Sequence, residues 1–285
     1  MTLSNGATLS SAYSIAISGT DVYVAGTVVT TTGNYVGVYW KNGVRTMLTD
    51  STVYSGAYAI AISGNDVYIG GFGPTGPVYW KNGNIVNLPT RGVTQITGIG
   101  VSNNNVYLVG ESTNSNGEVA TYWKNGVRDT LTTSPTVSSA SAVVVNGNDV
   151  YVAGNIAGFL FNTAVYWKNG VPVTLTNNTI TGSAGGIALD AGGNVYVCGA
   201  AELFANSTTI PNITSMIYWK NGILAAPNWM SAGSSNMEIN GIAVDGTDVY
   251  VAGSFGNFPT YWKNDSAVYF TSNSGQAYGI ALAPQ

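Results

Sequence analysis

The chain is predicted to be all-β: a single six-bladed β-propeller over residues 1–285, with four antiparallel strands per blade and termini overlapping at the closure. Three observations carry this. The motif Tyr-Trp-Lys-Asn occurs six times, around Trp40, Trp80, Trp123, Trp167, Trp219 and Trp262. A second motif, Asp- or Asn-Val-Tyr closing on Gly, precedes each copy, at Asp21, Asp66, Asn105, Asp149, Asn194 and Asp248. The five periods between Trp40 and Trp262 average about 44 residues, a propeller-blade length. With 45% hydrophobic residues and 37 glycines, the composition suits a large core served by many short strands and turns.

Each repeat resolves into four strands. The first is small and apolar: Ile15-Ala16-Ile17, Ile60-Ala61-Ile62, Ile99-Gly100-Val101, Val143-Val144-Val145, Ile187-Ala188-Leu189 and Ile242-Ala243-Val244. Its Gly, Ala and Val content places it innermost, where blades crowd together. The second is the Val-Tyr run, whose period-two apolar residues fit a pleated, half-buried surface. Gly-Asn-Asp or Gly-Thr-Asp joins these two, as at Gly64-Asn65-Asp66. The third carries Tyr-Trp-Lys, and the Asn-Gly after it in five of the six copies, Asn264-Asp265 in the sixth, is a two-residue hairpin signal because both residues tolerate positive φ. A fourth strand follows, at Arg45 to Thr49, Ile85 to Leu88, Thr130 to Thr132, Val173 to Thr176, Ile223-Leu224 and Val268 to Thr271.

The two ends of the chain duplicate each other. Tyr278-Gly279-Ile280-Ala281-Leu282 is a seventh copy of the innermost pattern, and Thr2-Leu3-Ser4 resembles a seventh outermost strand. One copy is expected to complete the blade seam. The other would then be displaced, or exchanged with a neighbouring molecule as a route to self-association.

The runs Gly186-Ile187-Ala188-Leu189-Asp190 through Asn194-Val195-Tyr196-Val197, and Gly241-Ile242-Ala243-Val244-Asp245 through Asp248-Val249-Tyr250-Val251-Ala252, resemble the strands of six-bladed NHL-type propellers. The whole unit, Asp-Val-Tyr-Val-Ala-Gly followed by Tyr-Trp-Lys-Asn-Gly, is similar to repeats of uncharacterised bacterial surface and secreted proteins. That resemblance covers nearly the whole chain and implies a fold without an activity.

Composition narrows the function classes. Nine Lys and Arg against thirteen Asp and Glu leave a net charge of −4, and six of the nine cations belong to one repeated motif. No basic stripe is left for a phosphate backbone, so nucleic acid is not an expected partner. The single cysteine, Cys198, stands where other copies carry Ala or Val, and reads as a small buried hydrophobe. No apolar run reaches the length of a membrane span, and Met1-Thr2-Leu3-Ser4 lacks signal-peptide regions. Only 8% of residues are charged, which points to a secreted or cell-surface protein with its signal removed, while a cytoplasmic location stays open.

Histidine is absent, which removes Ser-His-Asp and Cys-His relays and His-ligated zinc. No metal site or cofactor is expected. Asp21, Asp66, Asp149 and Asp248 occupy equivalent hairpin positions, where carboxylates cap turns. The six motif tryptophans invite a lectin reading, but one strand position repeated in every blade fits a core residue better. Function is therefore expected on the variable loops between second and third strands, residues 27–37, 72–77, 111–121, 155–164, 200–216 and 254–260. The ligand-binding candidates are Glu202, Phe204, Phe159, Phe258 and the non-motif pair Trp229 and Met230.

Three functional readings follow. The first is a non-catalytic binding or scaffold propeller that recognises a glycan or protein through its loop face. The second is a carboxylate-based lyase or glycosidase drawing on Glu111, Glu118, Glu202 and Glu238. The third is a purely structural repeat array.

Overall fold

The computed structural model describes residues 3, 9–89, 92–114, 117–132, 136–159, 161–177, 180–203, 213–225, 237–264, 266–270 and 275–283. Among them there are twenty-four strands and no helix, so no helix is long and apolar enough to cross a membrane. The strands form six four-stranded antiparallel sheets, each ordered as in the sequence. This is the six-bladed propeller class. The chain divides into two compact units, Met1–Pro135 with Ala283–Gln285, and Thr136–Leu282.

The first unit holds three blades. Blade 1 is β1 (Ser10–Ser18), β2 (Asp21–Val29), β3 (Tyr35–Lys41) and β4 (Val44–Met47). Blade 2 is β5 (Gly56–Ser63), β6 (Asp66–Gly73), β7 (Gly76–Lys81) and β8 (Asn84–Asn87). Blade 3 is β9 (Val93–Ser102), β10 (Asn105–Asn114), β11 (Gly117–Lys124) and β12 (Val127–Thr130).

The second unit repeats the plan. Blade 4 is β13 (Ser138–Asn146), β14 (Asp149–Ile156), β15 (Thr163–Lys168) and β16 (Val171–Thr174). Blade 5 is β17 (Ile180–Leu189), β18 (Val195–Leu203), β19 (Ile213–Lys220) and β20 (Ile223–Ala225). Blade 6 is β21 (Met237–Asp245), β22 (Asp248–Phe255), β23 (Phe258–Lys263) and β24 (Ser266–Tyr269).

Two boundaries differ from expectation. In blades 1 to 5 the fourth strands begin directly after the Asn-Gly turn, up to three residues earlier than read from sequence, because that turn needs no further residues. Asn42 and Gly43 take φ of 51° and 85°, the paired positive values of a type I′ hairpin. The loops between second and third strands are also shorter than expected. The β2–β3 ladder runs out to Val29 and Tyr35, and β22–β23 to Phe255 and Phe258.

Within each unit, adjacent blades pack face to face. In the second strands of blades 1 and 4, Tyr and Ala face the following blade, and in blade 1 Val22 and Val24 face the Trp40 side, as period-two alternation dictates. Tyr23, Ala25 and Leu48 of blade 1 thus pack with Ile60, Ile69, Val78 and Trp80 of blade 2. Tyr151 and Ala153 of blade 4 pack in the same way with Ile187, Val197 and Trp219 of blade 5. All six motif tryptophans are at most 2% exposed, so none is available to stack on a ligand. Cys198 takes the Ala position in the core beside Ile239, Ile242 and Trp262. Burial pushes its thiol up to about 12.

The glycine that closes the second motif has a steric cause. A β-bulge at one position of the first strand, skipping Tyr13 in blade 1 and Tyr58 in blade 2, brings that strand's backbone against the second strand. A Cβ on Gly26, Gly71, Gly110, Gly154, Gly199 or Gly253 would collide with a first-strand carbonyl oxygen.

Leu3 and the C-terminal copy each dock on a blade of their own unit. Leu3 packs on Val24, Val36, Val38 and Trp40 of blade 1, as Leu48 packs on blade 2 and Leu88 on blade 3. The segment Ala277–Leu282 lies against β21. Ala277 donates its N–H to the Gly253 carbonyl at 3.1 Å, and Asn240 Nδ2 donates to the Ala277 carbonyl at 3.1 Å.

Candidate functional site

Every blade has two unlike ends. At one lie the tight turns from first to second and from third to fourth strand. At the other lie the second-to-third loop and the link to the next blade.

The tight-turn end is occupied by structural bonding. Asn42 Oδ1 accepts the Val22 N–H at 2.8 Å, and Asn42 Nδ2 donates to Asp21 Oδ1 at 2.7 Å. Lys41 Nζ pairs with Asp21 Oδ2 at 2.7 Å and stands 5.2 Å from the centre of the Tyr23 ring. The same set recurs in blades 2, 4 and 6 on Asp66, Asp149 and Asp248. The aspartates thus bond across to the third strand, a wider link than the turn cap expected of them. In blades 3 and 5, Asn105 and Asn194 take the aspartate position and receive the amide of Asn125 and Asn221. Blade 5 supplies its carboxylate from Asp190, which accepts from Asn194 Nδ2 at 2.7 Å and from the Tyr196 hydroxyl at 3.3 Å.

The loop end of blades 1 and 2 is built differently. Asp50, just past β4, accepts the backbone N–H and the hydroxyl of Thr52, each at 2.9 Å, which tightens the link between the blades. Those bonds hold its carboxyl below the usual range. Ser55 then donates its N–H to the Tyr35 carbonyl at 2.9 Å, and Gly37 donates its N–H to Ser55 Oγ at 2.9 Å. The link is therefore stitched to the second-to-third loop, and the two present Tyr54 and Tyr35 side by side.

These tyrosines begin an aromatic row. The Tyr35 and Tyr54 rings are 6.1 Å apart at 70°, and Tyr54 meets Phe72 at 5.9 Å and 71°. Both are edge-to-face contacts. Tyr35 is 50% exposed and Tyr54 59%, so this end of the row is open to solvent. The bulge residues Tyr13 and Tyr58 form a second edge-to-face pair at 5.4 Å. Burial, with Tyr54 and Tyr13 nearby, raises the Tyr58 hydroxyl above its ordinary pKa.

Blade 3 adds carboxylates. Glu111 follows its motif glycine just as Phe72 follows Gly71, so the two hold equivalent register positions. Glu118 opposes Thr113 in the β10–β11 ladder, which puts Glu111 and Glu118 diagonally on one sheet face. Burial raises the Glu111 pKa, and the Glu118 charge adds to the rise. Ser112 points the other way, is fully buried, and bonds Thr121 Oγ1 at 2.8 Å while accepting from Arg128 Nη2.

In the second unit Phe258, one of the sequence candidates, is 50% exposed and pairs with Phe255 at the tip of its hairpin. Phe255 meets Tyr269 edge-to-face at 6.0 Å. Phe159 is fully exposed on the loop closed by the Gly158 N–H to Phe161 carbonyl bond. Glu238 is exposed on β21. Phe204, Trp229 and Met230 lie outside the described residues, as does the side chain of Glu202, whose backbone pairs with Thr181 and Thr214. The sequence candidates do not include Tyr13, Tyr35, Tyr54, Tyr58 or Phe72. Part of the signal was present, because the bulge position is Tyr in blades 1 and 2 but Thr97, Ser141, Gly185 and Asn240 elsewhere. Among the described residues, no cluster of three or more His, Cys, Asp or Glu could hold a metal ion.

No family model matches the chain, and no curated protein does. Solved structures do. The propeller domain of the Trilobed protease from Pyrococcus furiosus aligns with TM-score 0.52 at 10% identity, over 93% of this chain and 86% of that one. An ulvan lyase of polysaccharide lyase family PL25, solved with -[GlcA(1-4)Rha3S]- bound, aligns at 0.51 and 11% identity, over 94% and 82%. The polysaccharide lyase Uly1 aligns at 0.51 and 9% identity, over 92% and 81%. Likenesses this remote in sequence show the fold.

Proposed function

We propose that this chain is a non-catalytic glycan-binding propeller whose recognition surface is the loop end of blades 1 and 2. The observation that carries the reading is the aromatic row Tyr35, Tyr54 and Phe72, partly open to solvent and held by backbone bonds between a loop and a link. Sugar rings present C–H faces that stack on aromatic faces, and the tyrosine hydroxyls beside them bond sugar hydroxyls. Aromatic side chains carry few rotatable bonds, so little freedom is lost on binding. A low charge density accords with a secreted or cell-surface setting, where polysaccharides abound. The polysaccharide-lyase likeness supports a glycan over a protein ligand.

A second reading is favoured by one observation. Glu111 has a raised pKa and shares a sheet face with Glu118, as a carboxylate lyase or glycosidase would use them. A glycan array followed by calorimetry on the strongest hits tests the first reading. Binding that Tyr54→Ala weakens at least about tenfold, with the fold intact by circular dichroism, supports it; an array without hits overturns it. Release of new reducing ends from a bound glycan, abolished in Glu111→Gln, would establish the second in its place.

A further inference from the structure

We propose that the loop end of the first unit selects uncharged glycans and rejects those bearing uronate or sulfate; this deepens, and rests on, the glycan-binding reading. The argument is the separation of charge between the two ends of each blade.

The described cations of the first unit sit away from the aromatic row. Lys41, Lys81 and Lys124 close their third strands at the tight-turn end, each within 5.5 Å of the centre of a tyrosine ring. Lys41 and Lys81 are in addition ion-paired to Asp21 and Asp66. Arg45 lies on β4 opposite Trp40, two residues from the tight turn. Arg128 directs a guanidinium nitrogen to Ser112, on the sheet face opposite Glu111 and Glu118. The remaining cation, Arg91, lies outside the described residues.

The loop end carries the opposite sign. Asp50 is kept ionised by its bonds from Thr52, four residues before Tyr54 in the link that carries that ring. Glu118 is exposed, and Glu111 holds in blade 3 the register position that Phe72 holds in blade 2. The whole chain adds a net charge of −4. Carboxylate and sulfate ligands are held best by bidentate arginine, and no described guanidinium faces the row. An anionic chain laid across Tyr35, Tyr54 and Phe72 would meet like charge from the Asp50 link and from the carboxylates of blade 3. A neutral chain meets aromatic faces, hydroxyls and amides. The acidic glycan of the ulvan lyase is therefore the wrong class to carry over to this chain.

The test is calorimetry with neutral gluco-, manno- and xylo-hexasaccharides against oligogalacturonate and ulvan oligosaccharides, at about 20 mM and about 500 mM NaCl. Expected is binding of a neutral oligosaccharide at least about tenfold tighter than either acidic one at low salt, the gap narrowing at high salt as the repulsion is screened. Asp50→Asn with Glu118→Gln should narrow the same gap at low salt. Acidic oligosaccharides binding equally or more tightly, with loss on Tyr54→Ala, would overturn the selectivity and leave the glycan-binding reading standing. No binding by either class would overturn that reading, and the selectivity with it.

Discussion

Gly241 faces Gly279 as Gly186 faces Gly241. A Cβ added to Gly241 would stand 3.3 Å from the Gly279 Cα and 3.4 Å from the Ile280 N, and one added to Gly186 would stand 3.3 Å from the Gly241 Cα and 3.4 Å from the Ile242 N. The C-terminal copy is thus docked on blade 6 in the manner of one more first strand.

Removal of Ala277–Gln285 should accordingly uncover Gly241, take away the Ala277 carbonyl that accepts from Asn240 Nδ2, and lower the thermal midpoint. Gly241→Val, which keeps the segment in the chain but pushes it off blade 6, should lower the midpoint in the same direction. An unchanged midpoint in both variants, read by differential scanning calorimetry, would show that the docked copy contributes nothing to stability.

The motif glycine should resist the mildest substitution. Gly110→Ala puts a methyl group into the Gln95 carbonyl oxygen, and neither strand can retreat from a ladder it shares. The expected loss is about 3 kcal/mol or more in urea unfolding. Gly126→Asn, at a turn position with φ of 79° and open space around it, should cost far less.

Trp80 packs with Tyr23, Ala25 and Leu48 of the preceding blade, so its truncation leaves a cavity between blades. Trp80→Ala should cost about 3–5 kcal/mol, and Trp80→Phe much less because most of the buried surface is kept. Glycan binding in the phenylalanine variant should remain, since the indole is fully buried and away from the loop end.

Acid should weaken the tight-turn end. Hydrogen-bonded lysine and asparagine hold Asp21, Asp66, Asp149 and Asp248 below their ordinary pKa, with Asn169 the larger influence on Asp149 and the lysine larger on the others. A depressed folded-state pKa gives stability that is present above the unfolded value, about pH 4, and is lost as pH falls through the folded value. Replacing all four by Asn should flatten the fall in thermal midpoint below about pH 4. The pairs are exposed, so the wild-type slope should also shrink in high salt. An acid limb identical in wild type and the fourfold variant would show that the pairs carry no linkage.

The blade plan was legible because every copy restates it. Asn-Gly demands two positive φ values, alternating Val and Tyr demand a pleated surface, and a Trp repeated at one strand position demands a repeated pocket. Each is a local requirement, or one met by the neighbouring copy. The glycine of the second motif was visible as a constant, but its cause was not. That cause is a bulge in a different strand, which aims the Ser11 or Gly56 carbonyl at it. The aspartate role was likewise half legible, since its lysine and asparagine partners lie 15 to 21 residues away and meet it only when the sheet forms.

The candidate site was the least legible part. Tyr35, Tyr54 and Phe72 share no motif and no spacing, and come together because Ser55 ties the blade link to the Tyr35 backbone. Composition and periodicity determined how many blades there are, which residues fill them and which chemistries histidine's absence removes. Tertiary structure alone decided which side chains meet at the loop end, because that meeting depends on bonds between segments whose sequences do not repeat.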